Sequence, residues 1–381
     1  DANRIAETVA RVIGTVPRPV ALHEPEIRNG DIAAVADCVR GGWVSPVAPI
    51  ARRFEAELGR ISNSEHVIVC SSGTAALHLA LLAIGVGPGD EVLVPALSFA
   101  ATANAVVYCG AQPHFCDVEP QALGLDPAAL ARHLAACGQA GPNGLVNRNT
   151  GRRIAAVLPM HAFGHPVALD EIAAICAQYD LPLVEDAAEA LGSTYHGRPV
   201  GSIGRIGIFS FNGNKIVTTG GGGAVVTNDA ALGEKARHLG TTARRRDTGR
   251  IEHDAVGFNY GMPGLNAALG LAQVERLPEL IQRKRDLAGR YRAAFAGMAG
   301  TSLVEELPDT RSIYWLNTLM LDNAAAADAA LAALHERQIM ARPIWTPLHL
   351  LPMFRDSPRM PDMQAERLAA CGINLPSSAH L

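Results

Sequence analysis

The sequence is short of charge, of paired cysteines and of long apolar runs, and each shortage removes a class of protein. Charged residues make up 18% of the 381 positions and the net charge is −4, so charge gives no reason to expect nucleic-acid binding or adhesion to an anionic membrane. No run reaches the ~20 uninterrupted apolar residues that span a bilayer; the stretch from Ala75 to Val86 is interrupted by His78 and stops at Pro88. The seven cysteines, at 38, 70, 109, 116, 137, 176 and 371, form no CxxC pair and no Cys/His cluster with metal-ligand spacing. That odd count points to reduced thiols in the cytosol and to no metal. The N-terminus lacks a basic stretch followed by an apolar core and a small-residue cleavage site, so no secretory signal is expected and a cytoplasmic location is. The chain opens on Asp1 rather than Met, which leaves room for processing. Its 37 glycines follow no collagen-like period, and there is no heptad or internal repeat.

Against these absences stands 48% hydrophobic content, enough to bury a sizeable core in two or three units. From about residue 66 short β-branched runs alternate with longer amphipathic ones, the signature of βαβ units. His66–Cys70, Glu91–Pro95, Pro113–Asp117, Ile154–Pro159 and Pro182–Glu185 read as strands; Ala75–Ile84, Phe99–Cys109 and Leu169–Tyr179 read as helices. The turn-rich stretch 138–151 reads as an exposed excursion. Beyond Gly204, Ile206–Phe211 and Gly222–Thr227 read as strands flanking the loop 212–221. A long basic helix, 277–292, then precedes a section with a strand at 316–321 and an Ala-rich helix at 324–337. A large α/β domain over roughly the first two thirds is expected, with a small α+β domain after it.

Three local features carry chemistry. Ser71-Ser-Gly-Thr74 sits where a strand feeds a helix, so the free N–H groups of the first helical turn converge on an anion such as a phosphate; alone, Ser72 or Thr74 reads as a helix cap. Asp186 lies at the carboxyl end of a strand, the edge where open α/β sheets bind ligands, although a turn residue would look the same. Lys215 stands in Phe209-Ser-Phe-Asn-Gly-Asn-Lys215, before Thr218-Thr219 and four glycines, Gly220 to Gly223. A lone lysine is ordinarily a solvated charge; glycines beside it let backbone approach a ligand closely.

Phosphate loop, strand-end Asp186 and Lys215, in that order and over that span, resemble a fold type I pyridoxal-phosphate enzyme. More narrowly the chain is similar to the DegT/DnrJ/EryC1/StrS family of sugar aminotransferases from about residue 20 to 380. The resemblance rests on Gly42-Trp-Val-Ser45, Ser72-Gly-Thr-Ala-Ala-Leu77, Pro95 to Asn104, Val184-Glu-Asp-Ala-Ala-Glu-Ala-Leu-Gly192, Ser210 to Gly223, Gly257-Phe-Asn-Tyr260 and Arg342-Pro to Leu348-His349. It implies an α/β fold with a large, mostly parallel-sheet domain at 1–265, including an N-terminal arm, and a smaller α+β domain at 266–381. It also implies that Lys215 links covalently to pyridoxal 5′-phosphate and then moves a proton, while Asp186 keeps the pyridine nitrogen protonated. Ser72, Gly73 and Thr74, with Ser210 and Asn212, would bind the phosphate. Phe99 would stack on the ring, and Glu189 would approach the phenolic oxygen. Asn259 would reach the phosphate of a partner's cofactor, so that a homodimer shares its active sites. Ser45, Trp345 and His349 would lie near the sugar nucleotide; packing is the plainer reading of Trp345, and His161, at another strand end, reads as structural.

The forms Ser-Phe-Asn-Gly-Asn-Lys, Glu-Asp-Ala-Ala-Glu and Pro113-His-Phe look most like the legionaminate and bacillosamine branch, which acts on UDP-linked 4-keto-6-deoxy-N-acetylhexosamines. The resemblance thus implies amino transfer from L-glutamate, released as 2-oxoglutarate, to the C4 keto group of such a nucleotide sugar in surface-glycan biosynthesis. The alternatives are a GDP-4-keto-6-deoxymannose (perosamine-type) acceptor or a C3-keto sugar. A dehydratase of the same family would carry histidine for Lys215, and a non-catalytic relative would have lost Lys215 or Asp186. Three positions depart from the pattern: Gly261 where Arg is common, Gly264 where Asn is usual, and Ala48 where Gly is usual. The two glycines imply a roomier, less positive pocket with Arg244, Arg245 or Arg246 as replacement cation, or else a loop that packs differently and touches no ligand. The chain also ends at Leu381, sooner than many members, so their closing segment is expected to be absent.

Overall fold

The computed structural model describes residues 2–245 and 250–381. Its centre is a seven-stranded sheet in the order His66–Cys70, Gly223–Thr227, Ile206–Ser210, Val184–Asp186, Ile154–Val157, Glu91–Pro95, Gln112–Cys116. The two ladders of that sheet join through parallel bridges from Val157 to Leu183 and from Met160 to Asp186. Only Gly223–Thr227 runs against its neighbours; the remaining pairings are parallel. The strands are buried along nearly their whole length, as strands covered on both faces must be. Helix Gly73–Ala83 fits that setting: it is apolar all round and almost entirely buried.

The strands and helices expected from residue 66 onward are present to within two or three residues. The segment at 138–151 is the exposed excursion expected, and it is ordered by Gly138–Gly141 and Gly144–Asn147 pairing as an antiparallel hairpin. Its turn-forming composition serves that hairpin, whose Asn147 amide donates to the buried Glu91 carboxylate at 2.9 Å. Helices Pro127–Cys137 and Ala230–Gly240, unforeseen in the sequence, are each opened by an aspartate, Asp126 and Asp229, whose carboxylate accepts two N–H groups of the first turn.

A second sheet, Thr301–Leu303, Asn317–Leu321, Gly372–Leu375 and Arg342–Pro343, is antiparallel throughout. Its core takes Leu319, Leu321, Ile373 and Leu375 from the sheet, Ala330 and Leu334 from helix Ala324–Glu336, and Tyr291 and Phe295 from the long helix Leu277–Phe295. Helix Ala2–Ile13 completes it with Ile5, Val9 and Ile13. From there the N-terminal arm stays tied to this unit: the Val20 N–H donates to the Gln338 carbonyl, and the Leu22 carbonyl accepts from the Ser377 N–H.

Candidate active site

Sheet register gathers the site along one edge. Cys70 and Ser210 both pair with Gly223, and Asp186 pairs with Ile208, so the end of the first strand, Ser210 and Asp186 lie side by side at the carboxyl ends of their strands. The Ser72 hydroxyl accepts from the Ala75 N–H at 3.0 Å, which makes it the cap of helix Gly73–Ala83. Gly73 opens that helix because a Cβ there would stand 2.7 Å from the Ser210 Cβ. The bare backbone and the Ser210 hydroxyl are thus brought together beside the half-buried Thr74, a cradle of neutral donors at a helix N-terminus that suits a phosphate.

Asp186 is buried. Its Oδ2 accepts from the Thr102 hydroxyl at 2.8 Å and its Oδ1 from the Ala188 N–H at 3.1 Å. Burial pushes its pKa up, and these two bonds with the charge of Lys215 offset only part of that. Lys215 sits on the loop after Ile206–Ser210, which closes on itself through Phe211 and Gly222, at 2.8 Å, and Thr219 and Phe211, at 2.9 Å. Its Nζ donates to Glu189 Oε1 at 3.0 Å and lies 3.8 Å from the Trp315 ring centroid. Glu189 is buried too; its other oxygen accepts from the Phe163 N–H at 2.9 Å, and burial raises its pKa against the pull of Lys215. Phe99 begins helix Ala100–Tyr108 with 54% of its surface exposed, an aromatic ring presented rather than packed. Asn212 is exposed on the lysine loop, where its amide donates to Asn214 Oδ1 at 3.3 Å.

Ser45 and Asn259 lie elsewhere in the chain. They line a cavity of about 590 Å³ with Pro46, Arg244, Arg245, Arg250 and Gly261, and none of Asp186, Glu189, Ser210 or Lys215 reaches it. Arg246 falls outside the described residues. Trp345 stacks on Phe163 with ring centroids 4.4 Å apart. His349 is buried, its Nε2 facing Glu366 at 3.0 Å and its Nδ1 unpartnered. His161 is buried and accepts at Nδ1 from Val167, so Nε2 carries the proton shared with Glu185 at 3.1 Å.

The room expected at Gly264 is not there. A Cβ on Gly264 would stand 2.0 Å from the Trp43 carbonyl oxygen and 2.8 Å from the Ala48 Cβ. The departures at 48 and 264 therefore fit each other, the methyl of one occupying space the other leaves. Thr102, Phe163, Trp315 and His23 belong to the site and were not singled out in the sequence. Only Thr102, three residues past Phe99 in a helical first turn, carries a readable spacing.

A strand-end carboxylate, a lysine on the loop after the neighbouring strand and a glycine-opened helix N-terminus are a donor set that fits pyridoxal phosphate. The family model for DegT/DnrJ/EryC1/StrS aminotransferases matches residues 25–381, and the chain belongs to that family. It is 37% identical to EpsN of Bacillus subtilis over 88% of this chain and 84% of that one. It is 35% identical to the GDP-perosamine synthase of Caulobacter vibrioides over 96% and 95%. Among solved structures, the aminotransferase TlmJ of Streptoalloteichus hindustanus superposes with a TM-score of 0.86 at 32% identity, over 95% of this chain and 94% of that one. The protein is a pyridoxal-phosphate-dependent sugar aminotransferase, and no helix among the described residues is long and apolar enough to cross a membrane.

Proposed function

We propose that the chain transfers the amino group of L-glutamate to the C4 keto group of a UDP-linked 4-keto-6-deoxy-N-acetylhexosamine, in the cytoplasm, for surface-glycan biosynthesis. The observation that carries amino transfer is Lys215 held at 3.0 Å from Glu189 on the same sheet edge as buried Asp186. Pyridoxal 5′-phosphate, when bound, supplies an electron sink for the carbon that gains or loses the amino group. Asp186 would hold the proton on the ring nitrogen; as a buried acceptor with two neutral donors it would gain a charged one there. Gly73, Thr74 and Ser210 would bind the phosphate, and Phe99 would cover one ring face. Lys215 would serve as the base that carries the proton, and Glu189, 3.0 Å from its amine, would orient it.

The acceptor rests on the branch motifs around Lys215, Glu189 and His114, with Trp345 and His349 offered as residues of the sugar-nucleotide side. A second reading, a GDP-linked 4-keto-6-deoxymannose, is favoured by the identity to the Caulobacter GDP-perosamine synthase. We assign Ser45 and Asn259 to the partner's site in a homodimer. That Lys215 does not line their cavity supports this, as do the exposed apolar side chains Trp43, Val44, Val47, Ile251 and Val256 on the segments that frame it. Within each chain, 1–265 would carry the cofactor and 266–381 would form the smaller domain.

The test is a half-reaction screen. Protein converted to its amine form by glutamate is mixed with UDP- and GDP-linked keto sugars while the visible cofactor band is followed. Return of the band with the UDP-N-acetylhexosamine supports the proposal; return only with the GDP sugar selects the second reading, and return with neither contradicts both.

A further inference from the structure

The wall that faces the Lys215 amine from the small domain comes from residues 312–316. The Ser312 hydroxyl donates to the Gly164 carbonyl at 2.9 Å, the Ile313 N–H to Ser193 Oγ at 3.1 Å and the Leu316 N–H to the Phe163 carbonyl at 3.2 Å. This fixed backbone delivers Trp315, which is buried. Its indole N–H donates to the Asn214 carbonyl at 2.8 Å, one residue before the lysine, while its ring lies 3.8 Å from Lys215 Nζ. One side chain therefore grips the lysine loop and also offers the amine a π face.

Behind Trp315 stands His23, brought there by the N-terminal arm, with ring centroids 6.1 Å apart. Both His23 nitrogens are shut off from solvent and have no hydrogen-bond partner among the described residues. Burial first, then the charges of Lys284 and Lys215, hold this imidazole well below its usual range. Lys284 is itself pushed down to about 7 by burial and donates to the Ser377 carbonyl at 2.5 Å. The groups that face the amine are thus Glu189 and, at longer range, Asp186 from one segment and neutral His23 from the arm.

We propose that Trp315 is a positioning residue for Lys215: its face and the Glu189 carboxylate form the seat that holds the free ammonium, and its N–H fixes the loop that carries the lysine. A cation is attracted to a desolvated indole face, so this seat holds the free amine in one place beside Glu189 until the cofactor is at hand. The inference rests on Lys215 being the cofactor lysine.

The experiment compares Trp315→Phe, which keeps an aromatic face and loses the N–H, with Trp315→Leu, which loses both. In cofactor-free protein, Lys215 is acylated with acetic anhydride across pH and quantified by peptide mass spectrometry, with the unfolding midpoint as control. At neutral pH, acylation of Lys215 is expected to be about fivefold faster in Trp315→Leu and about twofold faster in Trp315→Phe. Cofactor-loaded protein reduced with borohydride should carry the cofactor on Lys215 in wild type, and in a smaller fraction of Trp315→Leu chains. Unchanged acylation and unchanged trapping in folded variants overturn the proposal. Should Trp315→Leu fail to fold, an unchanged Trp315→Phe overturns it instead. Trapping of the wild-type cofactor on another lysine would break the functional reading itself, an outcome distinct from unchanged variants.

Discussion

Glu185 and Asp186 are consecutive, equally buried and on one short strand, yet the two faces of the sheet treat them in opposite ways. Glu185 points to the closed face, where the backbone N–H groups of Gly201, Ile203 and Gly204 and the ring of His161 all donate to it, at 2.7, 2.7, 2.5 and 3.1 Å. Those four donors outweigh the burial that would raise its pKa, and the carboxylate ends below its usual range. Asp186 points to the open face with two donors, and burial wins. A structural carboxylate has its partners supplied by the chain; a functional one is left short of them until a ligand brings the missing charge. The same contrast separates Glu91, ringed by His114, Asn147 and Thr150 and held low, from Glu189, which shares Lys215 and is raised.

The largest effect that would break this account comes at the lysine. Lys215→Ala is expected to abolish transamination while the protein still folds, as seen by far-ultraviolet circular dichroism; near wild-type turnover would remove Lys215 from the mechanism. Next is the closed face. Glu185→Gln would turn an NH2 group toward N–H donors at a side chain closed off from solvent, a cost on the order of 3 kcal/mol in urea unfolding. A change within error would show that the four donors do not hold the fold.

Asp186→Asn should behave differently from Glu185→Gln, and its pH dependence has a definite sign. Because the folded-state pKa of Asp186 is raised, its ionisation costs stability as pH rises from the unfolded carboxylate value through the folded one. The cofactor-free Asn variant escapes that cost. Its unfolding midpoint should match wild type near pH 4 and move above it by neutral pH; a gain confined to acid pH would reverse the assignment. The smallest effect is at the cavity lined by Ser45 and Asn259, where Gly261 stands beside Pro46 and the arginines. Gly261→Arg is expected to change KM for one substrate severalfold and leave the other unaltered, as steady-state kinetics with glutamate and keto sugar varied in turn would show.

Much of the open face was legible in the sequence, because strand ends, helix starts and a glycine-flanked lysine are local patterns. Ser72, Gly73, Asp186, Ser210 and Lys215 fall into register once the strands are placed. Trp315 and His23 were not legible: they lie 100 and 192 positions from Lys215, and no period links an arm, a small-domain segment and a loop. Glu185 escaped for a related reason, since three of its four donors come from backbone that any residue carries. The complementarity of Ala48 and Gly264 likewise needs coordinates, for the sequence shows two small residues and not that they touch.

The contrast between the two carboxylates is tested most directly by the single-turnover reaction of cofactor-loaded protein with L-glutamate in wild type and Asp186→Asn. Loss of the visible cofactor band is timed and 2-oxoglutarate is counted. Removing a preorganised charge partner from a buried site costs on the order of several kcal/mol in the barrier, so the Asn variant should retain cofactor yet react at least about a hundredfold more slowly. Equal rates in the two proteins would contradict the account, since Asp186 would then be no more than a second buried acceptor.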